Sequence, residues 1–415
     1  MLDIKLIRDN PELVRQGVAA KGYQVDVVAI LRLDEARRKL QTLVDELRQK
    51  QKGFTAAGRE AAKAAKVQLK EAEGRLVELG LKVEEQLREL PNLPRPDVKV
   101  GKSEADNEVI RTWGEKPQFS FAPKDYLELA KLHDLADTER AGKVSGSRFG
   151  YLKNEAALLE FALLQYGLSV TMAKGFTPVI PPVMVGERAM AGMGYLEHGG
   201  KDETYNFPDE KLYLVGTSEQ SLVPMHMDET LALKDLPRRY VGFSTCFRRE
   251  AGSYGKDTKG ILRVHQFDKL EMVVLTTPEE SDAEHERLLA IEEELMQALK
   301  LPYQVIKMCT ADLGDPAARK YDIEAWIPSE QKYRETHSCS LCTDFQSRRL
   351  NIRYKTAEGK PAYVHVLNGT VFSMNRPIIA ILENYQQADG SVRIPEVLQP
   401  FMGGKGLIGK KLSNV

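Results

Sequence analysis

Leucine, valine and alanine recur at alternating steps of three and four through the first ninety residues, and the pattern ends at PNLPRPDV (91–98). From about Asp26 to Gln51 the apolar positions are Leu33, Ala36, Leu40, Leu43 and Leu47. After a break at GFTAAG (53–58) they are Leu69, Ala72, Leu76, Leu79, Val83, Leu87 and Leu90. A seam of that period holds one face of a helix against a partner helix. Two such helices joined by a short glycine-containing turn fold back as an antiparallel hairpin, an arm about 40 Å long at ~1.5 Å per residue. A short helix with Asn10 as cap and Pro11 at its first position precedes it. Near the tip the arm carries Lys50, Lys52, Arg59, Lys63, Lys66 and Lys70, a run suited to phosphates and equally to a solvated face. By itself such an arm also fits a spacer or dimerisation coil.

Charge gives little direction: 59 Lys plus Arg nearly cancel 60 Asp plus Glu, so a polyanionic partner must meet a local basic surface. Four cysteines in 415 residues do not make a disulfide scaffold, and a reducing interior is expected. The start MLDIKLIRDN lacks a secretory core and no apolar run is expected to span a membrane, which points to a cytoplasmic protein.

From about residue 104 the pattern becomes mixed. Strands are expected within 176–185, 211–217, 240–250, 261–275, 303–308, 321–328, 350–355 and 362–372, with helices around 281–300 and 376–386. Strands that succeed one another without helices argue for an α+β fold with a largely antiparallel sheet. The proline-rich linker divides the chain into a helical arm, 1–103, and a second domain, 104–415. GxxxxGK[ST] is absent, so that phosphate loop is unavailable.

The segment CFRREAGSYGKDTKGILRVHQFDKLEM (246–272) reads as a hairpin whose long loop is GSYGKDTKG (252–260). Alternation puts Arg248 and Glu250 on one face, and Arg263, His265, Phe267, Lys269 and Glu271 on one face of the returning strand. Facing the same way, these supply cations for a triphosphate, a ring for a base and an acid for an amine. The plainer reading is a set of cross-strand ion pairs on a wet face, each worth under about 1 kcal/mol.

The same segment resembles motif 2 of class II aminoacyl-tRNA synthetases in the form seen in seryl-tRNA synthetases, and the likeness runs along essentially the whole chain. It includes the arm, PNLP at its exit, DNEVIRTWGEKPQF (106–119), VSGSRFGYL (144–152), GFTPVIPP (175–182) as motif 1, DFQSRRLNIRY (344–354), NRPIIAILENYQ (375–386) as motif 3 and IPEVLQPFMGG (394–404). The resemblance implies a six- or seven-stranded antiparallel sheet that binds ATP, a homodimer, and an arm that reaches the tRNA. It assigns ATP to Arg248, Arg249, Glu250, Phe267, Glu335, Thr336, His337, Ser338 and Arg376, with Arg248 and Arg376 as the catalytic pair. Glu335 and Ser338 would hold Mg²⁺, a hard cation suited to oxygen ligands. Thr217, Ser218, Glu219, Arg248, Glu271, Asn368 and Thr370 fall on L-serine positions, Glu271 pairing with the ammonium. Lys50, Lys52, Arg59, Lys63 and Lys66 fall to tRNA(Ser), with tRNA(Sec) as a further acceptor. The implied reaction forms seryl-adenylate and passes serine to the 3′ end of the tRNA.

His265 reads as a structural residue, and HxCxxC at His337, Cys339 and Cys342 is a weak hint of zinc. NGTVFSMNRP stands where the family has a glycine-rich run, so Val371, Phe372, Met374 and Asn375 replace small residues. GTSEQS replaces a TAEVP-like stretch, and the arm is shorter than usual by roughly four helical turns. Two other classes remain: a ligase that charges a carrier protein, which would lack the arm, and an inactive RNA-binding paralogue, which would have lost Arg248, Glu271 or Arg376.

Overall fold

The computed structural model describes residues 1–52, 59–251 and 259–409, with the side chains of 52 and 59–62 outside that description. The chain divides into two compact units, Met1–Leu93 and Pro94–Val415.

The first unit has two short helices, α1 (Ile4–Asp9) and α2 (Pro11–Ala20), and two long ones, α3 (Val27–Lys52) and α4 (Arg59–Arg88). The long pair packs along a seam of Val44 and Leu47 against Leu69 and Ala72, flanked by Leu40 and Leu76. Ala36 and Leu43, expected in that seam, are exposed, because Val44 takes the buried place one residue on. At the base Ile7, Val14, Val18, Val27, Ile30, Val83, Leu87 and Leu90 form a second cluster. Beside it the fully buried Asp34 accepts from Arg8 at 2.6 Å and from Arg37 at 3.1 Å. Burial alone would raise the Asp34 carboxyl, yet these arginines hold it below its usual value.

The second unit is built on eight strands: β1 (Glu108–Trp113), β2 (Thr177–Val179), β3 (Arg238–Phe247), β4 (Gln266–Thr276), β5 (Tyr303–Lys307), β6 (Arg319–Ile327), β7 (Lys332–Thr343) and β8 (His365–Ser373). Their order is β1-β5-β6-β7-β8-β4-β3-β2, antiparallel throughout except that β2 runs parallel to β3. The sheet thus exceeds the six or seven strands expected. β7, whose polar run KYRETHSCSLCT gave no strand signal, is its longest member.

Period two sorts the strand residues. Leu270, Met272, Val274, Leu341, Leu367 and Ile323 face a helical layer of α5 (Asn154–Ala173), α7 (Ser281–Ala298) and α8 (Asn375–Asn384) in one large core. Val273, Leu275 and Val366 face the other way, against Leu222, Leu231 and Tyr354. Between these helices in sequence lies α6 (Glu219–Leu222), on the second face. Contrary to expectation, α5 is apolar and long enough by composition to cross a membrane. Leu159, Ala162, Leu163 and Tyr166 nevertheless pack it into the core.

Candidate active site

Register builds the site. Gly242 of β3, Glu271 of β4 and Thr370 of β8 are successive cross-strand partners, Ser338 of β7 lies beside Thr370 with hydroxyls 3.4 Å apart, and Asp322 of β6 pairs with Ser338. One transverse row on the face away from the helices therefore carries an acid, two hydroxyls and a second acid. At its end, Gly242 leaves room for α6. A Cβ there would stand 2.6 Å from Leu222 Cδ1 and 3.0 Å from Ser218 Oγ. The missing side chain lets α6 sit directly on the sheet and brings Glu219 into the interior near Glu271.

Two of the expected five alternating residues fall outside β4. Arg263 and His265 precede the strand, so only Phe267, Lys269 and Glu271 share its face. His265 instead ties the hairpin together: its Nδ1 bonds the Arg248 carbonyl at 3.0 Å and its backbone N–H donates to Arg148 at 2.9 Å. Arg263 pairs with Glu250 at 3.4 Å.

Arg248 donates from Nε to the Gly216 carbonyl at 3.1 Å and holds its guanidinium 5.2 Å from the Phe267 ring centre. Arg376, at the start of α8, donates to the Glu335 carbonyl oxygen at 2.8 Å and pairs with its carboxylate at 3.0 Å. Burial would raise Glu335, but Arg376, then Lys320 and Arg248, hold it down at about 2. The exposed Arg249 lies 5.5 Å from the Tyr205 ring. Glu250 adopts φ of 50°, at the turn into the loop. Thr336 and His337 point inward: Thr336 bonds the Ile323 carbonyl at 3.1 Å, and His337 packs on Phe372, where burial pushes it down to about 3. A cavity of about 290 Å³ lined by Phe149, Tyr151, Gln266, Phe267 and Asn375 adjoins the Phe267 end.

The expected serine residues gather in the interior. Thr217, Glu219, Glu271, Asn368 and Thr370 are each at most 6% exposed. Glu219 accepts from Tyr195 at 2.5 Å; burial and then the nearby Glu271 push it up to about 7. Glu271 forms an ion pair with Lys269 at 2.6 Å. Thr217 Oγ1 is buried without a hydrogen-bond partner, an open polar group of the kind a substrate hydroxyl satisfies. Ser218 instead turns to the Gly242 carbonyl at 3.3 Å. Asn368 reaches the Cys342 sulfur at 3.9 Å.

Sequence reasoning placed Lys269 on this face without a role of its own, and missed Tyr195 and Asp322. Lys269 sits two residues before Glu271, a spacing that had signalled a shared face. Tyr195 and Asp322 carry no local signal, since only strand pairing and the fold-back of α6 bring them in. Glu335 and Ser338 present a carboxylate ionised at neutral pH and a hydroxyl. Asp322 beside them is held by the Lys320 ammonium, 3.2 Å from its Oδ1, so Glu335 and Ser338 supply the oxygens. This all-oxygen set suits a magnesium ion that keeps phosphate and water ligands. No group of three metal-binding side chains occurs among the described residues. Cys339 and Cys342 lie in cores on opposite faces of the sheet, which removes the zinc reading.

Val371, Phe372 and Met374, bulky where small residues were expected, are fully buried. They enter the helical layer, where Gly167 of α5 makes room: a Cβ there would stand 2.7 Å from Val371 Cγ1. Asn375 bonds the Ile261 carbonyl at 3.0 Å. In the first unit Lys50, Lys63 and Lys66 are exposed, while the side chains of Lys52 and Arg59 and the turn at 53–58 lie outside the described residues. So does most of the hairpin loop, 252–258.

Comparison with known proteins identifies the family. Residues 1–94 match the seryl-tRNA synthetase N-terminal domain, and 203–385 match the class II tRNA synthetase core domain (G, H, P, S and T). The serine–tRNA ligase of Nocardia farcinica is 48% identical, covering 97% of this chain and 98% of its own length. That of Dictyoglomus thermophilum is 45% identical over 99% of this chain and 100% of its own. The crystal structure of seryl-tRNA synthetase from Pyrococcus horikoshii complexed with ATP superposes with a TM-score of 0.92 at 42% identity, covering 98% of this chain and 99% of that one. Matched end to end by relatives of one kind, and carrying both the arm and the catalytic sheet, the chain belongs to the seryl-tRNA synthetase family.

Proposed function

We propose that this chain activates L-serine with ATP and transfers it to the 3′ end of tRNA(Ser), with Arg248, Arg376, Glu219 and Glu271 at the centre of the site. One observation carries the assignment: Arg376 pairs with Glu335 beside a row of hydroxyls and acids set in the sheet.

The serine carboxylate attacks the α-phosphorus of ATP in line, the bond to pyrophosphate breaks, and seryl-adenylate results. A terminal ribose hydroxyl then attacks the seryl carbonyl carbon, and AMP leaves. No side-chain nucleophile takes part. Arg248 holds the α-phosphate, Arg376 the far phosphates, and Phe267 stacks on adenine, so the protein acts through position and fixed charge. Glu335 and Ser338 would hold Mg²⁺, which neutralises phosphate charge when bound. Glu271 and Glu219 receive the ammonium, and Thr217 and Thr370 supply hydroxyls for the serine side chain. A pocket built around that hydroxyl refuses alanine because its own polar groups would go unpaired.

The arm reads the tRNA through Lys50, Lys52, Arg59, Lys63 and Lys66. The active species is a homodimer: Leu158, Phe161 and Met172 of α5, with Ile180 and Met184, are between 42% and 85% exposed and offer an apolar face to a second copy. The enzyme works in the cytoplasm, where its tRNA is. ATP–pyrophosphate exchange with serine, threonine, alanine and glycine tests the reading. Serine alone should support fast exchange; exchange with none of them overturns it.

A further inference from the structure

Lys269, expected only as one of the cations on this face, holds its ammonium 2.6 Å from Glu271 Oε2, and the two side chains are 7% and 1% exposed. Several other ionisable groups surround Glu271. They are Arg248 at the end of β3, Glu219 on α6, Tyr195 ahead of it, Glu292 on α7 and the thiols of Cys246 and Cys339. Glu292 is completely buried behind Gly369, and neither of its carboxyl oxygens makes a hydrogen bond of standard geometry. Glu219 and Glu271 therefore share one dry region, with Glu292 behind Gly369 on the helical face of the sheet. Carboxyl groups in such a place take up protons in preference to sharing negative charge.

We infer that Lys269 is a positioning residue: it occupies the place of the substrate ammonium on Glu271 in the free enzyme, keeping that acid charged and aimed until serine arrives. The inference deepens the assignment of Glu271 to the serine amine and rests on it. Both groups are fixed by the same strand two residues apart, so the pair needs no ligand to form. Lys269 and Arg248 also lower the Glu219 and Glu271 carboxyls against the rise that burial causes. Without Lys269, burial would raise the Glu271 carboxyl further, and it would bind an ammonium less well. Raising the pH would restore the carboxylate and with it the binding.

The test is serine-dependent ATP–pyrophosphate exchange by the full chain from pH 6.5 to 8.5, with Lys269→Met, Lys269→Arg, Glu271→Gln and the double variant Lys269→Met/Glu271→Gln. Lys269→Met should raise the serine KM roughly tenfold for each pKa unit that Glu271 rises at pH 7, with the ATP KM nearly unchanged. The penalty should shrink as pH rises, and Lys269→Arg should restore the wild-type profile. A purely structural lysine would give a penalty independent of pH and shared by ATP, and that result overturns the inference. If the single variant does not fold, the double variant decides, since removing both partners of a buried pair is tolerated better than removing one. It should match Glu271→Gln in serine KM, and a further loss sinks the idea. An unchanged serine KM in Glu271→Gln would instead overturn the amine assignment itself.

Discussion

Gly242→Ala tests how the sheet positions the substrate pocket. The new methyl would stand 2.6 Å from Leu222 Cδ1, 3.0 Å from Ser218 Oγ and 3.2 Å from Ser218 Cβ. Ordinary contact needs about 3.4 Å, so α6 must retreat by about 0.8 Å. Leu222 cannot swing aside, because it is 1% exposed and Val223 next to it is fully buried. Overpacking of this kind costs about 1–3 kcal/mol of stability. The same movement carries Glu219, three residues before Leu222, away from Glu271. A displacement near 1 Å at a reacting centre costs about 10²-fold in rate. We therefore expect kcat/KM for serine in pyrophosphate exchange to fall ~10–100-fold, mostly through serine KM. The ATP KM should stay close to wild type, since Arg376 and Phe267 do not touch Gly242. A folded variant, judged by its circular dichroism and melting curve, that keeps wild-type serine KM would refute the link between this glycine and the pocket.

Arg248→Ala should lower exchange by at least about 10³-fold, and an active variant would show that another group holds the α-phosphate. Deleting residues 35–85 should spare adenylate formation in the exchange assay and abolish charging of tRNA; unaltered charging would exclude the arm from tRNA binding. Gly167→Ala should cost about 1–3 kcal/mol in urea unfolding and be relieved by Val371→Ala, because one residue fills the space the other vacates. His285 is completely buried; its Nε2–H donates to the Cys339 carbonyl and its Nδ1 accepts from Arg319. Burial pushes its pKa down from 6.5 to about 3. Between pH 6.5 and 3 the unfolded chain binds the extra proton, so stability falls as pH drops. The lead of wild type over His285→Gln in unfolding free energy, from urea titrations, should therefore shrink by ~1.4 kcal/mol per pH unit in that window. A constant difference would mean that the buried ring titrates normally.

The site was legible where chemistry follows local spacing. Arg248, Phe267, Glu271, Glu335, Ser338 and Arg376 stand in recognisable segments, and the structure pairs Arg376 with Glu335 and sets Arg248 over the Phe267 ring. Arg263 and His265 showed the limit of alternation: the strand starts at Gln266, and nothing in ILRVHQ marks that start because the preceding residues are as β-prone as those that follow. Leu43 failed for a related reason, since a seam read at steps of three and four cannot tell it from Val44 until the partner helix is placed. The polar strand β7 was hidden because its apolar partners, Cys339 and Leu341, are too few to signal a strand.

By itself the sequence determined the helical arm, the change to a sheet after PNLPRPDV and the identity of the charged groups, because period and residue chemistry are properties of the chain alone. Only the tertiary structure decided that Arg376 pairs with Glu335, that Gly242 admits α6, that Gly167 accommodates Val371 and that Lys269 covers Glu271. These depend on cross-strand register and on contacts between segments far apart in sequence, and neither is written into any local stretch of residues.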